Sequence, residues 1–306
     1  MAEFSMSPFS PLERAAIVAP LLCGLTVSLT SRGSEATERA ERATNEGPFS
    51  LLTYTVAGLP ELVSDSYPVA NIPVISSLLN LYDIAVVQED FAYHNALAAH
   101  ATHPFQSPAL VPSEKVGIGD GLNVFSRMPF SHFERVTWAA CNGKLTDGSD
   151  CFAPKGFSVA MEEIAPGVEV DLYDVHMDAG HSSGDVAARR QQSEQLLGFL
   201  LKRSAGHAVI VAGDTNMNRE RDQEILVSFM KRAGLVDACR TLSCDDLSRI
   251  DRVMYRDSAT LHLRAAKLAV DTRFVTRDGK DLSDHKAVGV VMEWHRTLPG
   301  RITASR

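Results

Sequence analysis

Short apolar runs that stop abruptly at polar residues recur along the chain from Phe49 onward. The runs FSLLTYTVAGLP, YDIAVVQED and VIVAGDTNMN are typical of buried strands that open into polar loops. Three further strand candidates and two later segments extend this order: DGLNVFSRMPF, KGFSVAMEEI, VEVDLYDVHMDAG, SRIDRVMYR and DLSDHKAVGVVMEW. The pattern therefore predicts a domain whose strand ends carry carboxylates, carboxamides and histidines.

Two segments between the strands have the spacing of helices. Residues Asp185 to Arg203 place leucines among polar residues, with Ser182, Ser183 or Asp185 available as the cap. A second helix is expected through Ile225 to Ala233. Because strands and helices alternate, the sequence predicts an α/β sheet domain with its site at one edge.

Composition and charge narrow the possible partners. A chain of 306 residues with 45% hydrophobic and 22% charged residues can bury a large core, as one α/β domain or two modest ones. The formal net charge of -8 disfavours bulk electrostatic capture of nucleic acid. A polyanionic substrate would therefore need a local basic patch or a bridging metal ion.

The N-terminus has the layout of a leader. An apolar run from Ala15 to Leu29 follows Arg14, and small residues come after it, as in a signal peptide. The run is shorter than the ~20 residues of a membrane span, and a helix packed on the domain is the alternative. We expect a leader and charged linker over residues 1–47, a catalytic domain over 48–296 and a tail over 297–306.

Four cysteines after the leader fall into two close pairs. Cys141 and Cys151 bracket a turn-rich segment, and Cys239 and Cys244 bracket a shorter one. Such pairs predict two disulfides in an oxidising compartment, and hence a secreted or periplasmic protein. A zinc site and free buried thiols are the alternatives.

The polar strand ends suit the hydrolysis of a phosphate ester. Carboxylate oxygens hold Mg²⁺ or Ca²⁺, a histidine can exchange protons near neutral pH, and a carboxamide can donate to a phosphoryl oxygen. Asp214 and Asn216 would face one pocket if the chain were extended there, since side chains alternate with a period of two.

Each of these residues alone has a structural explanation. Glu89 could be an exposed carboxylate at a strand end, and His176 a structural histidine. Asp251 could pair with Arg249 or Arg252. The order of the motifs, and not any one of them, carries the functional prediction.

In order along the chain, LTYTVAGLPE, VVQED, DVHMDAG, VAGDTNMNR, RIDRVMY and LSDHKAV resemble the motifs of the endonuclease/exonuclease/phosphatase superfamily. The resemblance spans about residues 49–294. It implies a four-layer α/β sandwich of the deoxyribonuclease I type, with two central mixed sheets flanked by helices. It also implies a divalent metal-dependent phosphodiesterase, with Mg²⁺ as the expected ion and Ca²⁺, Mn²⁺ or Co²⁺ as alternatives.

The resemblance also implies a set of metal ligands. Glu89 would be the main ligand, and Asp214 and Asp284 would lie close enough to assist. Thr55 stands where the family usually has Asn. Its hydroxyl can still approach a metal through water, so we expect metal chemistry with weaker or altered cation affinity.

The catalytic roles follow from the same motifs. Asp214 would position or deprotonate the attacking water, and Asn216 would hold the phosphoryl group. His285 would act as the general acid/base, oriented by Asp251. His176 would contact the scissile phosphate, a position at which abasic-site endonucleases usually carry Tyr.

The segment CNGKLTDGSDCFAPKGF resembles the sphingomyelinase C-like branch of the superfamily, where a disulfide-bearing loop precedes a Lys-Gly-Phe strand. Lys155 would then face the cleft and bind substrate, with a solvated loop lysine as the alternative. This favours a phospholipid over nucleic acid as the phosphodiester substrate, with peripheral contact to a membrane surface. We expect a monomer.

Three other functions stay open at this stage. A secreted nuclease would use arginines to contact phosphates, and the candidates are Arg189, Arg190, Arg219 and Arg221. An inositol polyphosphate phosphatase is suggested by the GDTNMNR and IDRVMY segments. The third alternative is a non-catalytic binding module, in which Thr55 would mark a site that has lost activity.

Overall fold

The computed structural model describes residues 45–110, 118–143, 150–218, 220–244 and 249–297. These residues fall within one unit, 42–306. The predicted leader lies outside the described residues, as do most of the predicted linker and most of the tail. Among the described residues, no helix has the length and apolar character needed to cross a membrane.

The described residues form twelve strands. In chain order they are β1 (Glu46–Thr55), β2 (Ile84–Gln88), β3 (Phe105–Gln106), β4 (Asn123–Ser126), β5 (Phe130–Thr137), β6 (Gly156–Ala165), β7 (Val168–His176), β8 (Val209–Asp214), β9 (Val236–Asp237), β10 (Asp251–Arg256), β11 (Leu261–Val270) and β12 (Val288–Arg296). The strand β1 begins three residues before Phe49, where the apolar pattern starts, because Glu46 pairs with His295 of β12. The sequence pattern did not predict β3, β5, β9 or β11.

The strands form two six-stranded mixed sheets. The first has the order β11-β12-β1-β2-β4-β3 and the second has the order β5-β6-β7-β8-β10-β9. Each sheet contains one parallel pair, β1 with β2 and β7 with β8, while the other neighbours are antiparallel. The carboxyl ends of a parallel pair meet at one edge of the sheet, where residues can converge on a site.

Helices cover the outer faces of the two sheets. The α-helices are α1 (Pro68–Leu79), α2 (His94–Ala98), α3 (Ser183–Arg203), α4 (Gln223–Ala233) and α5 (Ala238–Thr241). In α1, Ile72 and Ile75 pack with Leu52 of the first sheet. In α3 and α4, Leu196 and Phe229 pack with apolar residues of the second sheet. The four-layer sandwich with two central mixed sheets is therefore confirmed.

Both predicted helices are present, whereas α1, α2 and α5 were not predicted. The helix α3 begins at Ser183 with Ser182 as its N-cap, and a capping box joins Ser182 to Asp185. The helix α4 begins two residues before Ile225. The sequence pattern did not predict α1, which carries Pro73 inside the helix.

The layer between the sheets changes character along the strands. Inward residues at one end are apolar, such as Leu51, Val170 and Ile210. Continuing in steps of two along β7 and β8, the inward positions become Asp174 and His176, and Asp214. The period of two therefore carries each strand from an apolar core to a polar cluster.

The structure contains both predicted disulfides. Cys141 is joined to Cys151, and Cys239 is joined to Cys244. The zinc site and the free thiols weighed for these cysteines are therefore not needed. Of the three phenylalanines in the DGLNVFSRMPFSHF segment, Phe125 is fully buried, whereas Phe130 and Phe133 are only partly buried at the edge of the core.

Candidate active site

The two parallel pairs bring four strand ends together. Thr55 of β1 lies beside Gln88 of β2, and His176 of β7 lies beside Asp214 of β8. The antiparallel strand β10 begins at Asp251, which pairs with Asp214. The site therefore lies at the end of the sandwich where both parallel pairs finish.

Asp251, His285 and Asp214 form a connected group. The Nδ1 atom of His285 lies 3.0 Å from both carboxylate oxygens of Asp251, and its Nε2 atom lies 3.9 Å from Oδ2 of Asp214. The loop before β12 carries His285, and its backbone N–H donates to Oγ of Ser283. Thus Asp251 orients the imidazole and Asp214 faces its other nitrogen.

Burial and mutual charge set the protonation of this group. Burial alone would lower the pKa of His285, but the hydrogen bond to Asp251 and the charge of Asp214 outweigh it and raise that pKa to about 10. Burial, then the charge of Asp251, raises the pKa of Asp214 to about 7. At neutral pH the imidazole therefore holds a proton that it can donate, and Asp214 is poised to gain or lose one.

Ligand atoms of Asp214, Asp251 and His285 lie within 4.8 Å of one another, a spacing that could hold a metal ion. The hydrogen bonds between His285 and Asp251 argue against this use, because a protonated imidazole has no free lone pair for a metal. The hydrogen bonds therefore favour use of these three residues as an acid–base relay over use as a metal site.

Glu89 lies beside this relay, directly after β2. Its backbone φ of 62° is left-handed, a conformation that costs a non-glycine residue energy and is concentrated at functional sites. Its side chain is 20% exposed, and its Oε1 lies 3.7 Å from Nε2 of His176. Burial raises the pKa of Glu89, and the positive charge of Lys155 opposes that rise.

His176 is held as a neutral imidazole. Its Nε2 lies between Glu89 and Asp214, at 3.7 Å and 3.8 Å. Burial, followed by the positive charges of Lys155 and His285, keeps its pKa well below the usual range. The indole of Trp138 donates to the backbone carbonyl of His176 at 2.7 Å, which fixes the end of β7.

Asn216 lies next to Asp214, but not for the predicted reason. The strand ends at Asp214, and Asn216 has a left-handed φ of 49° rather than an extended conformation. Its side-chain nitrogen donates to Oδ2 of Asp214 at 2.7 Å and to the carbonyl of Met177 at 3.0 Å. The turn, and not the strand period, brings the two side chains together.

Thr55 and Asp284 differ in their exposure at this site. Thr55 is buried, and its hydroxyl donates to Oε1 of Gln88 at 3.2 Å, inside the layer between the sheets. Its carbonyl accepts from Oγ of Ser283 at 2.7 Å. Asp284 is exposed, and its negative charge contributes to the pKa shifts of Glu89 and His285. It therefore lies at the rim.

Lys155 faces the site rather than solvent. Its Nζ lies 2.5 Å from Oδ1 of Asp150, and each of these side chains is 11% exposed. Its charge acts on Glu89, His176 and Asp214. The alternative of a solvated loop lysine is therefore wrong.

A buried bridge between the sheets was missed in the sequence. Gln88 donates to Oδ1 of Asp174 at 2.6 Å, and burial raises the pKa of Asp174 well above its usual value. This bond joins the residue before Glu89 to the one two positions before His176. The signal was present, because Asp174 and His176 share a face of β7 by the period of two.

Two other sequence interpretations are corrected by the structure. Asp251 binds His285, while Arg252 pairs with Asp237 at 3.0 Å. Arg189 is 0% exposed and bonds to Asp222, so it cannot contact a substrate phosphate. Of the other arginines weighed for a nuclease, Arg190 is exposed on α3, Arg221 bonds to Asp222, and Arg219 lies outside the described residues.

The fold and this cluster of acidic and histidine residues define a class of protein. A family model described as the Endonuclease/Exonuclease/phosphatase family matches residues 53–285. The chain belongs to this family, and membership places it among the phosphoric ester hydrolases.

Two curated sphingomyelinases, from Mycobacterium bovis and Mycobacterium tuberculosis, are 32% identical to the chain over 267 residues. The match covers 79% of this chain and 52% of each relative. The chain thus spans about half the length of the curated relatives it matches.

Solved structures share the fold at low identity. Beta toxin from Staphylococcus aureus has a TM-score of 0.59 and 16% identity, covering 79% of this chain and 99% of that chain. Sphingomyelinase C from Streptomyces griseocarneus has a TM-score of 0.57 and 20% identity, covering 80% and 99%. D. rerio TDP2 complexed with single-strand DNA product has a TM-score of 0.62 and 19% identity, covering 80% and 99%. These likenesses show the fold and do not choose a substrate.

Proposed function

We propose that the protein is a divalent metal-dependent phosphodiester hydrolase that acts on a phospholipid, in the manner of a sphingomyelinase C. The observation that carries the reaction class is the relay of Asp251, His285 and Asp214 beside Glu89. The curated sphingomyelinases at 32% identity support the substrate class.

The residues at the site fit a divalent cation. Glu89, Asp214 and Asp284 offer carboxylate oxygens, the donors that Mg²⁺ prefers. Burial raises the pKa of both Glu89 and Asp214, so a cation would offset the cost of holding them ionised. A bound cation would polarise the phosphoryl oxygen and balance its growing charge. Mg²⁺ is the ion we propose, and a beta toxin of the same fold was solved with bound magnesium ions.

The chain's own groups would move the protons of the reaction. Asp214 would orient the attacking water and accept its proton as the water oxygen bonds to phosphorus. His285 would donate a proton to the leaving oxygen as the phosphorus–oxygen bond breaks, with Asp251 stabilising the imidazolium. Phosphodiester and water thus give a phosphomonoester and an alcohol.

Three residues would bind the phosphoryl group. Lys155 supplies positive charge to the cleft, and the neutral His176 can donate a hydrogen bond if its proton sits on Nε2. Asn216 would exchange one of its present bonds, to Asp214 or to Met177, for a phosphoryl oxygen. Thr55 would act on the metal only indirectly, because its hydroxyl is bonded to Gln88.

Exposed apolar side chains near the site support a lipid substrate. Leu62 is 100% exposed in the segment after β1, and Val63 and Tyr67 are exposed beside it. The base of this segment is bonded to the site, since the backbone N–H of Gly58 donates to the carbonyl of Glu89. Phe152, the residue directly after the disulfide-bonded Cys151, is 59% exposed. These side chains would contact a membrane surface.

We also propose that the protein works outside the cytoplasm. The two disulfides support an oxidising compartment. The apolar run from Ala15 to Leu29 supports export as a sequence pattern.

The test is a hydrolysis screen of the purified protein with Mg²⁺ or with EDTA. The substrates are bis-p-nitrophenyl phosphate, sphingomyelin vesicles, plasmid DNA and an inositol polyphosphate. Release of phosphocholine that EDTA abolishes would support the proposal. Nicking of plasmid with intact lipid would replace the lipid by nucleic acid, and phosphate release from the inositol compound would point to a phosphomonoesterase. No turnover of any substrate would contradict the reaction class.

A further inference from the structure

Arg189 of α3 is a cation that is completely enclosed by protein. Its side chain is 0% exposed and is among the largest fully buried side chains of the described residues. Its Nη1 donates to three successive carbonyls, those of Asp178 at 2.8 Å, Ala179 at 3.2 Å and Gly180 at 3.1 Å. Residues 178–180 begin two positions after His176, the last residue of β7. Arg189 therefore binds the segment of chain that leaves the site.

The other side of the guanidinium reaches the segment that follows β8. Its Nε donates to Oδ1 of Asp222 at 3.1 Å. Oδ2 of Asp222 accepts from the backbone N–H of Asn218 at 3.0 Å, and the backbone N–H of Asp222 donates back to Asn218 at 2.8 Å. Asn218 lies two residues after Asn216. One ion pair thus holds the segments that follow both β7 and β8.

Two other residues on the same face of α3, Gln192 and Asp185, also form hydrogen bonds to loops beside the site. Gln192 accepts from the backbone N–H of Asp178 at 2.9 Å and donates to the carbonyl of Ala140 at 2.9 Å. Asp185 accepts from the side chain of Asn142 at 2.6 Å. Asp185, Arg189 and Gln192 are spaced by four and three residues, so they form a buried polar stripe along one face of α3. A buried helix face is usually apolar.

A buried ion pair is a weak source of stability, since the cost of desolvating both charges offsets most of their attraction. Well-packed apolar residues in its place are often neutral or stabilising. A guanidinium differs from them in holding several acceptors in a fixed plane. The geometry of Arg189 therefore suits holding the segments after β7 and β8 in place better than it suits stabilising the fold.

We infer that Arg189 is a positioning residue for the reaction. It fixes the segments after His176 and Asp214 so that His176 and Asn216 keep their places at the phosphoryl site. This inference rests on the proposed function for its link to catalysis. Arg189 itself does not touch the substrate.

The first variant to test is Arg189→Lys, with Arg190→Lys on the exposed face of α3 as the matched control. A lysine keeps the charge but has one nitrogen, which cannot bridge Asp222 and the carbonyls of 178–180 together. We expect kcat for bis-p-nitrophenyl phosphate with Mg²⁺ to fall about 10- to 100-fold. We expect KM to change less than twofold, and Arg190→Lys to behave as wild type.

Amide hydrogen exchange distinguishes a local loss of positioning in Arg189→Lys from loosening of the whole domain. It can be measured without an active enzyme. In Arg189→Lys, faster amide exchange should be confined to 177–180 and 214–222. Exchange that rises equally across both sheets would mean a structural role and overturn the inference, as would a kcat within twofold of wild type. If the wild-type protein hydrolyses none of the substrates, the proposed function fails, and the exchange pattern still decides whether Arg189 positions these segments.

A double variant, Arg189→Met with Asp222→Leu, guards against a simple folding defect. Replacing the pair by apolar residues should recover much of the unfolding free energy that Arg189→Met alone loses. It should not recover kcat, because the carbonyls of 178–180 and the N–H of Asn218 still lack their partners. Recovery of kcat together with stability would overturn the inference.

Discussion

The layer between the sheets has an apolar end and a polar end, which are built from the same strands but contribute oppositely to the free energy of folding. At one end the inward residues are apolar, as Leu51 of β1 and Val170 of β7 are. At the other end the inward residues of these strands are Thr55 and His176, and the neighbouring strand β8 ends at Asp214, which is also buried and polar. The apolar end gains free energy from burial, whereas the polar end costs free energy unless each group is paired.

The difference shows how one architecture supports both stability and chemistry. Burial shifts the pKa of Asp214 upward and that of His176 downward because low-dielectric surroundings disfavour charge. The sandwich provides those surroundings, and most of the apolar packing that joins the two sheets lies at its other end. Changes at the polar end should therefore alter activity, and changes at the apolar end should alter stability.

The largest effect should come from His285→Ala at the polar end. The variant removes the proton donor but little buried apolar surface, so we expect kcat with Mg²⁺ to fall by about 10³-fold. The variant should still fold, but its melting temperature should fall because the buried Asp251 loses its partner, so turnover is compared well below that temperature. Turnover of bis-p-nitrophenyl phosphate measures the loss.

His295→Ala, an exposed histidine on β12, is the control for this variant. It should retain wild-type turnover. Equal activity in His285→Ala and His295→Ala would remove His285 from the mechanism.

At the apolar end, Leu51→Ala should have the converse effect. Leu51 is 0% exposed in the core between the sheets, and truncating such a side chain leaves a cavity that costs about 3 kcal/mol of unfolding free energy. Urea unfolding would measure the loss, and kcat below the melting transition should change less than twofold. A large loss of kcat in the folded variant would show that the two ends are coupled.

Glu89→Gln should weaken the response to metal. The variant keeps the shape of the side chain but removes a charged oxygen ligand, so the Mg²⁺ concentration for half-maximal activity should rise at least about tenfold. Titration of activity with MgCl₂ measures it, with Glu169→Gln, an exposed residue on β7, as the matched control. An unchanged Mg²⁺ dependence would count against Glu89 as the ligand.

The smallest effect concerns a carboxyl group away from the site. Burial raises the pKa of Glu162 to about 8, from 4.5 in the unfolded chain, while a hydrogen bond from Ser126 opposes the rise. The folded-state pKa is the higher one, so the stabilisation is complete below pH 4.5 and is lost as pH rises through 8.

Glu162→Gln should therefore remove part of the fall in unfolding free energy between pH 5 and pH 8, by about 2 kcal/mol. Urea unfolding at both pH values tests this, again with Glu169→Gln as the control. If the pH dependence of Glu162→Gln matches that of wild type, Glu162 is ionised in the folded protein.

Much of the fold could be predicted from local pattern. Strands ending at Gln88 and Asp214 were visible because apolar runs stop at polar residues there, and the strand ending at His176 was visible from its alternation of apolar and polar residues. The helix α3 was visible from its cap and its leucines. The strand β11 was not predicted because its sequence, LHLRAAKLAV, has no continuous apolar run and is interrupted by His262, Arg264 and Lys267. The helix α1 was missed because prolines lie at its start and inside it.

The site was predicted as a list of residues but not as a geometry. The order of motifs picked out Glu89, Asp214 and His285. It did not show that Asn216 reaches Asp214 through a left-handed turn. Arg189 was weighed as a phosphate-contacting arginine because a helix pattern cannot tell a buried guanidinium from an accessible one.

The sequence by itself determined which groups could do chemistry here: the carboxylates, histidines and carboxamide at the strand ends, and the cysteine pairs that close two loops. The tertiary structure alone decided how these groups act. Hydrogen bonds between residues far apart in the chain, such as Gln88 to Asp174 and Arg189 to Asp222, depend on how the two sheets and the helix pack. The pKa values of Asp214, His176 and His285 depend on the same packing, because burial and distance set the energy of a charge, and neither quantity is written in local sequence.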